Sequence, residues 1–237
     1  MSRSFIAAAI FLVCFSGIAL SQKHKCPKSM AACQLEGCSP SDAYDHELDK
    51  KKNRSDALNG EIVDIKFQEM TSLVQPSVWA TGRDRSTLAT TLHGNALREG
   101  TAVRVEGYLW AAKREHKESC NCELDGKGLK GERLTDIHMV MTLTPKAKET
   151  RSFTAEITPR VRAQRPDPDA WLVSKIRKLK GRYIRVTGFL LLDTGHLNDA
   201  EPKRAKSWEV HPVTMLEVCT AKDPAVCKQG TSWQEVK

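Results

Sequence analysis

One eleven-residue phrase occurs twice in the chain. Residues 100–110 read GTAVRVEGYLW and residues 181–191 read GRYIRVTGFLL, an offset of 81 positions. Each copy alternates apolar and polar residues, which is typical of a strand with one buried face. Each also has a glycine in mid-strand, Gly107 or Gly188, where strands bend or let another backbone come close. The repeat therefore predicts two long, coiled strands of one small β-barrel.

The first 21 residues have the pattern of a secretory signal peptide. Arg3 supplies a positive charge, residues 5–20 are almost wholly apolar, and Ala19-Leu20-Ser21 fits the cleavage rule of signal peptidase. The apolar run is short for a membrane span. We therefore predict an exported protein, periplasmic or secreted, with no transmembrane segment after cleavage.

The cysteines are interpreted in the light of that export. Cleavage leaves seven of them, namely Cys26, Cys33, Cys38, Cys120, Cys122, Cys219 and Cys227. In an oxidising compartment disulfides are the default. Cys219 and Cys227 are predicted to close a short loop, and two of the three N-terminal cysteines to staple that segment. Cys120 and Cys122 are too close to favour a bridge with each other. Seven is odd, so at least one thiol is free, intermolecular or a ligand.

Composition divides the rest of the chain into three parts. Residues 22–99 form a polar, cysteine-bearing extension and lead-in, with one short helix expected near 44–52 and one strand near 61–67. Residues 100–219 form the barrel, and 220–237 a C-terminal tail.

Within 100–219 the pattern predicts five strands with one helix before the fourth. The strands are expected at 102–112, 134–143, 152–158, 182–192 and 207–218, the last with a bulge at Pro212. The helix is expected at 167–180, where Leu172, Ile176 and Leu179 recur at helical spacing and Gly181 follows. The fold class is thus mainly β, in the order β-β-β-α-β-β.

This order, with long glycine-bearing first and fourth strands, resembles the OB-fold, a five-stranded, partly open barrel. The combination of C…GC, KNR at 52–54, VRVEGYL, NC, DIH, EITPR, RVTGFL and WEVHPVT is also similar to a group of exported bacterial proteins of unknown function. That second resemblance implies an OB-like domain behind a signal peptide, and it implies no activity.

The positive charge is concentrated in one segment. Residues 145–185 contain 12 Lys and Arg against four acids, a net charge of +8, which equals the formal net charge of the whole chain. Such a face attracts polyanions. We predict a ligand-binding basic face with an outward strand row beside it, made of Arg104, Tyr108, Trp110, Arg160, Arg162, Arg165, Arg177 and Arg185. Nucleic acid stays an uncertain partner, because Glu106, Asp136 and Glu156 share the outward row and would repel phosphates.

A second interpretation of the same outward strand row is that it forms a metal site. Asp136-x-His138 and Glu209-x-His211 each place a carboxylate and an imidazole on one strand face. Such sets hold divalent metals and activate water. The alternative is a purely structural role, in which these histidines form hydrogen bonds with nearby carboxylates or backbone groups and the acids pair with arginines.

No recognisable catalytic motif accompanies these residues, since G-x-S-x-G, a Walker loop, H-E-x-x-H and C-x-x-C are all missing. The first hypothesis is therefore an exported, non-catalytic binding module without a cofactor. Its ligand would be a protein partner or an anionic polymer, bound through the basic face. The alternative is a metal-dependent hydrolase with a divalent metal at Asp136, His138, Glu209 and His211.

Overall fold

The computed structural model describes residues 25–41, 44–197 and 203–237, so the predicted signal peptide lies outside the described residues. The strands are β1 (Val63–Ile65), β2 (Ala89–Leu92), β3 (Asn95–Arg98), β4 (Ala102–Arg114), β5 (Ile137–Thr142), β6 (Phe153–Ile157), β7 (Tyr183–Leu192), β8 (Trp208–Cys219) and β9 (Trp233–Glu235). The α-helices are α1 (His46–Lys52), α2 (Phe67–Met70), α3 (Gly128–Leu134), α4 (Pro159–Ala163), α5 (Val173–Ile176) and α6 (Pro224–Lys228). In these ranges no helix is long and apolar enough to cross a lipid bilayer.

Five strands close into a barrel. They follow one another in the order β4-β5-β6-β8-β7, and β7 pairs back onto β4. Neighbours are antiparallel except β6 and β8, which run parallel. This mainly β, five-stranded barrel confirms the OB-like fold that the strand pattern predicted.

The two copies of the repeated phrase are the strands that close the barrel. β4 and β7 pair antiparallel with Val105 opposite Val186, which occupy equivalent positions in the two phrases. Both valines are fully buried, whereas Arg104 and Arg185 on the opposite face are partly exposed. The predicted alternation is therefore confirmed at the point where the barrel closes.

The barrel interior is apolar and contributed by all five strands. Its buried side chains include Leu109, Met139, Phe153, Ile184 and Leu216. Full burial of one side chain of this kind contributes about 1.5–3 kcal/mol. The inward faces thus stabilise the fold and leave the outward faces to carry polar groups.

The extension before the barrel is held against it. α1 begins after Asp45, whose side chain accepts hydrogen bonds from the backbone N–H groups of Glu47 and Leu48, as an N-cap does. β1 pairs in parallel with β4 outside the five-stranded ring. The predicted short helix and strand candidate are both confirmed.

Three disulfides join described cysteines. They are Cys26–Cys38, Cys33–Cys122 and Cys219–Cys227, and Cys120 is a buried free thiol. The predicted N-terminal staple, C-terminal loop and unpaired cysteine are confirmed. Cys33–Cys122 spans 89 residues and ties the extension to the loop between β4 and β5. Closing so long a loop restricts the unfolded chain strongly.

The helix predicted at 167–180 is wrong as one continuous element. The chain instead forms a 3-10 turn at Pro168–Trp171, then α5, then a second 3-10 turn at Arg177–Leu179. Leu172 separates the first two pieces with an extended backbone, φ −72° and ψ 148°. Beside it the Trp171 indole N–H donates to the carbonyl of Val236 at 2.7 Å. A tertiary contact with the C-terminal segment thus accompanies the break in the helical pattern.

The predicted bulge is confirmed, and one strand boundary differs from expectation. The register of β7 and β8 shifts between Gly188, paired with Val213, and Leu190, paired with Val210, so the extra residue lies at His211-Pro212. β5 begins at Ile137 and not at 134, because the preceding residues form α3.

The two mid-strand glycines of the repeat differ in how much space surrounds them. A Cβ on Gly188 would lie 2.3 Å from the carbonyl oxygen of Pro212, whereas one on Gly107 would lie 3.1 Å from that of Thr142. We expect Gly188→Ala to lower the free energy of unfolding by about 3 kcal/mol and Gly107→Ala by about 1 kcal/mol, because only the first forces backbone apart. Urea unfolding followed by tryptophan fluorescence measures both. Equal losses would contradict the assigned role of Gly188.

Candidate metal centre

Strand register brings acidic and imidazole side chains together on the outward face of β5, β6 and β8. Side chains alternate along a strand, so the apolar Ile137 and Met139 face inward while Asp136 and His138 face outward. His138 lies opposite Glu156 in the β5–β6 pair. β6 and β8 pair in parallel at Thr154 and Glu209, which places His211 beside Glu156.

Three of these side chains form the centre of the cluster: Asp136, Glu156 and His211. One ligand atom from each lies within 4.8 Å of the others. His211 Nε2 is 3.8 Å from Asp136 Oδ2, and His211 Nδ1 is 3.3 Å from Glu156 Oε2. Asp136 and His211 are fully buried and Glu156 is 4% exposed. Ligand-type atoms from three different strands therefore converge away from solvent.

Each member of this triad is held by a neighbour through its other polar atom. The Asn121 side-chain amide donates to Asp136 Oδ1 at 2.9 Å. His138 Nδ1 is 3.0 Å from Glu156 Oε1, and His211 Nδ1 is 3.1 Å from Glu209 Oε1. Supporting hydrogen bonds of this kind fix the orientation of metal ligands in known sites.

The atoms that face the centre are the ones without partners. Among described residues, Glu156 Oε2 and His211 Nε2 are buried and have no hydrogen-bond partner. Buried polar atoms are nearly always paired, and leaving one unpaired costs about 1–3 kcal/mol. Glu156 Oε2 still lies 3.3 Å from His211 Nδ1, so His211 Nε2 is the atom that most clearly lacks a partner.

Burial and charge oppose each other at the centre. Burial alone would lower the pKa of His211, but the facing carboxylates of Glu156 and Glu209 outweigh it and raise the pKa to about 10. Burial likewise favours neutral Glu156, yet His211 and His138 hold its pKa well below the usual range. Burial raises the pKa of Asp136 to about 6, with His211 opposing the shift. The cluster thus favours positive charge at its centre, which either a proton on His211 or a metal ion supplies.

A second layer of ion pairs surrounds the triad. The Arg204 guanidinium donates to Glu209 Oε2 at 2.7 Å and to Asp193 Oδ2 at 2.9 Å. Lys52 Nζ, from α1, lies 3.8 Å from the same Asp193 oxygen. In this layer two cations face two carboxylates. At the centre, the carboxylates of Asp136 and Glu156 face His211.

A pocket of about 590 Å³ lies on this face. Glu118, His138 and Glu156 line it together with charged residues of the loop between β7 and β8. OB-folds bind ligands at this place, on the second and third barrel strands and the loops beside them. Among the residues that the structure describes, the lining includes no Phe, Tyr or Trp, which are the side chains that usually stack on the bases of single-stranded nucleic acids.

The structure brings together all four residues predicted as a metal set, but with different roles. Asp136 and His211 belong to the triad, whereas His138 and Glu209 hydrogen-bond to Glu156 and His211 respectively. The third member of the triad, Glu156, entered the sequence analysis only as an acid that repels phosphate. The alternating pattern of the third predicted strand places Glu156 on its outward face. That Glu156 lies close to His211 could be known only from the register between β6 and β8.

The arginines of the predicted basic face contact different parts of the chain. Arg160 donates to Asn53 Oδ1 and to the carbonyls of Cys33 and Gln34 in the extension. Arg162 is 2% exposed and donates to the carbonyl of Thr135.

The other two arginines of that face lie elsewhere. Arg165 pairs with Glu235 near the C terminus, and the exposed Arg177 donates to the carbonyl of Ala112. Arg162 is thus excluded from the surface by its burial, and the remaining three act at separate positions.

The outward row at β4 and β7 is likewise paired within the protein. Arg104 lies 3.5 Å from Asp64, and the Arg185 guanidinium donates twice to Glu217, each time at 2.7 Å. The Tyr108 ring packs edge-on against Tyr183. Trp110 is half-buried on β4. Whether this row binds a ligand stays a prediction.

Comparisons with known proteins add little beyond the fold. No protein-family model and no curated protein matches the chain. Among solved structures, the chain is similar to the crystal structure of asparaginyl-tRNA synthetase from Pyrococcus horikoshii, with a TM-score of 0.30 and 20% identity. The similarity covers 53% of this chain and 21% of the synthetase chain. The OB-like assignment therefore rests on the strand order of the barrel itself.

Asn53 is the main link between the extension and the loop that carries Cys120. Its side-chain amide donates to the carbonyls of Cys120, at 2.7 Å, and Leu35, at 2.9 Å, and its Oδ1 accepts from Arg160. We expect Asn53→Ala to lower the free energy of unfolding by about 2–4 kcal/mol, because it leaves the buried carbonyl of Cys120 unpaired and removes two further hydrogen bonds. Asp56→Ala, which removes an exposed ion pair with Arg54, is the control and should cost under about 1 kcal/mol. Thermal and urea denaturation of both variants measure these changes. Similar losses of stability in the two variants would show that Asn53 does not hold the extension to this loop.

Proposed function

We propose that this protein is a non-catalytic binding module that holds a divalent metal ion between Asp136, Glu156 and His211. The observation that carries the proposal is the convergence of buried ligand atoms, two of them without partners, at one point on the barrel face. An imidazole and two carboxylates form a common ligand set for divalent transition metals.

The surroundings support a metal as well as the three ligands do. With Nδ1–H donating to Glu209, the lone pair of His211 Nε2 faces Asp136, and this carboxylate–imidazole–metal order is common in metalloproteins. A divalent cation would also balance the two central carboxylates. A protonated His211 in a closed ion-pair network is the competing explanation, and it leaves Nε2–H without an acceptor within hydrogen-bond distance.

Burial favours binding over hydrolysis. Catalytic metals keep an open position for water or substrate, whereas closed sites serve binding and stability. Asp136 and His211 are fully buried, and of the triad only Glu156 lines the pocket. The hydrolase alternative requires an opening that these side chains do not form.

Export is part of the proposal. Three disulfides are compatible with an oxidising compartment. The signal-peptide pattern at 1–21 and the resemblance to exported proteins favour the same location.

The metal proposal predicts binding that depends on the triad. We expect the mature protein to bind Zn²⁺ and to release protons as it does so, since His211 must become neutral. Glu156→Gln should weaken binding by at least about 100-fold, and His138→Gln, which only frees the Glu156 side chain, by about 10-fold. Isothermal calorimetry in buffers of different ionisation enthalpy measures both affinity and proton release.

The matched control is His116→Gln, an exposed histidine that also pairs with a carboxylate. It should bind Zn²⁺ as the wild type does. Circular dichroism establishes that each variant is folded. Wild-type protein that takes up no Zn²⁺ above the buffer blank would refute the proposal and favour the protonated network.

A polyanion or a protein partner at residues 145–185 remains a second candidate. The lysines of that segment, unlike most of its named arginines, are exposed, namely Lys146, Lys148, Lys175, Lys178 and Lys180. If they bind a polyanion, anisotropy of a labelled oligonucleotide should show affinity that falls steeply with salt. Replacing Lys175, Lys178 and Lys180 by Ser should weaken it. If the oligonucleotide did not bind even at low salt, nucleic acid would be excluded as a ligand of this segment.

A further inference from the structure

We propose that the Cys120 thiolate, together with Glu118, extends this ligand group on the other side of Asp136, so that the site takes a thiophilic ion, above all Zn²⁺. The inference rests on the proposed metal site and names the class of ion that it selects. It comes from a second group of ligand atoms, those of Glu118, Cys120 and Asp136, which also lie within 4.8 Å of one another.

The two groups meet at one oxygen. Cys120 Sγ is 3.9 Å from Asp136 Oδ2, and His211 Nε2 is 3.8 Å from the same atom. The sulfur and the unpartnered imidazole nitrogen thus both face this carboxylate oxygen. Glu118 Oε2 is a further buried atom without a hydrogen-bond partner among the described residues.

The backbone fixes the thiol in this position from both sides. Cys120 lies in a 3-10 turn, Ser119–Asn121. The next residue, Asn121, holds Asp136 through its amide. Cys122 follows with a left-handed backbone, φ 54°, and is bonded to Cys33. The turn therefore places sulfur and carboxylate in contact without relying on a flexible loop.

The surroundings of Cys120 differ from those of an ordinary buried cysteine. A structural thiol behaves as a small apolar side chain and packs among apolar neighbours. Here the thiol instead faces the carboxylate of Asp136, to which it donates a hydrogen bond, and it lies beside Glu118. A cation bound between these groups would take the place of the thiol proton.

The six other described cysteines are paired, so Cys120 has no disulfide partner within the described ranges. Metal binding at this thiol breaks the S–H bond, forms a sulfur–metal bond and releases the proton to solvent, with no redox change. A thiolate ligand selects Zn²⁺ over Mg²⁺ and Ca²⁺, which prefer oxygen ligands alone.

Cobalt substitution tests this directly, because Co²⁺ bound to a thiolate gives a near-ultraviolet charge-transfer band. We expect the mature, disulfide-intact wild type to show that band on titration with Co²⁺. Cys120→Ser should lose the band, keep measurable Co²⁺ binding through the triad, and lose at least about tenfold in Zn²⁺ affinity. Its Mn²⁺ affinity should change little, since Mn²⁺ favours oxygen ligands.

A measurement on unmodified protein keeps the test valid if the variant fails to fold. X-ray absorption of the Zn²⁺-loaded wild type should show a sulfur neighbour at about 2.3 Å. Metal binding without that sulfur, and without the cobalt band, would overturn the role of Cys120 and leave the triad proposal standing. Absence of any metal binding would overturn both.

Discussion

Closure of the barrel by β4 and β7 is the constraint on which the rest of the structure depends. The two strands carry the same phrase and meet with equivalent valines, Val105 and Val186, opposite each other. That pairing directs both apolar rows into one core and leaves their polar rows outside. Gly188 permits the close approach of β8 that completes the ring. β6 and β8 thus become neighbours although their paired residues, Thr154 with Glu209 and Ala155 with Val210, lie 55 positions apart in the chain.

The β6–β8 contact explains why charged groups collect on one outward face. Outward residues of β5, β6 and β8 are Asp136, His138, Glu156, Glu209 and His211, and the extension and the β4–β5 loop cover them. Covering ionised groups is costly unless they are paired. Arg204 and Lys52 pair with the outer acids, and His211 faces the two central carboxylates.

The covering segments also link stability to the site. The disulfide from Cys33 to Cys122 and the Asn53 hydrogen bonds hold the loop that positions Asn121 and Cys120. The same contacts that attach the extension to the barrel therefore orient two of the groups around Asp136. The cluster of ionisable side chains and the structural clamp therefore share one set of residues.

Local pattern and composition in the sequence determined the strands, the OB-like order, the N-terminal and C-terminal disulfide loops and the outward placement of Asp136, His138, Glu209 and His211. These follow from alternation along the chain, which is a local property. Only the tertiary structure decided that Glu156 and Cys120 join Asp136 and His211, that Arg160 and Arg162 bind backbone carbonyls, and that the 167–180 helix is broken. The physical reason is that strand register, loop cover and burial depend on contacts between residues far apart in the chain, which no local pattern encodes.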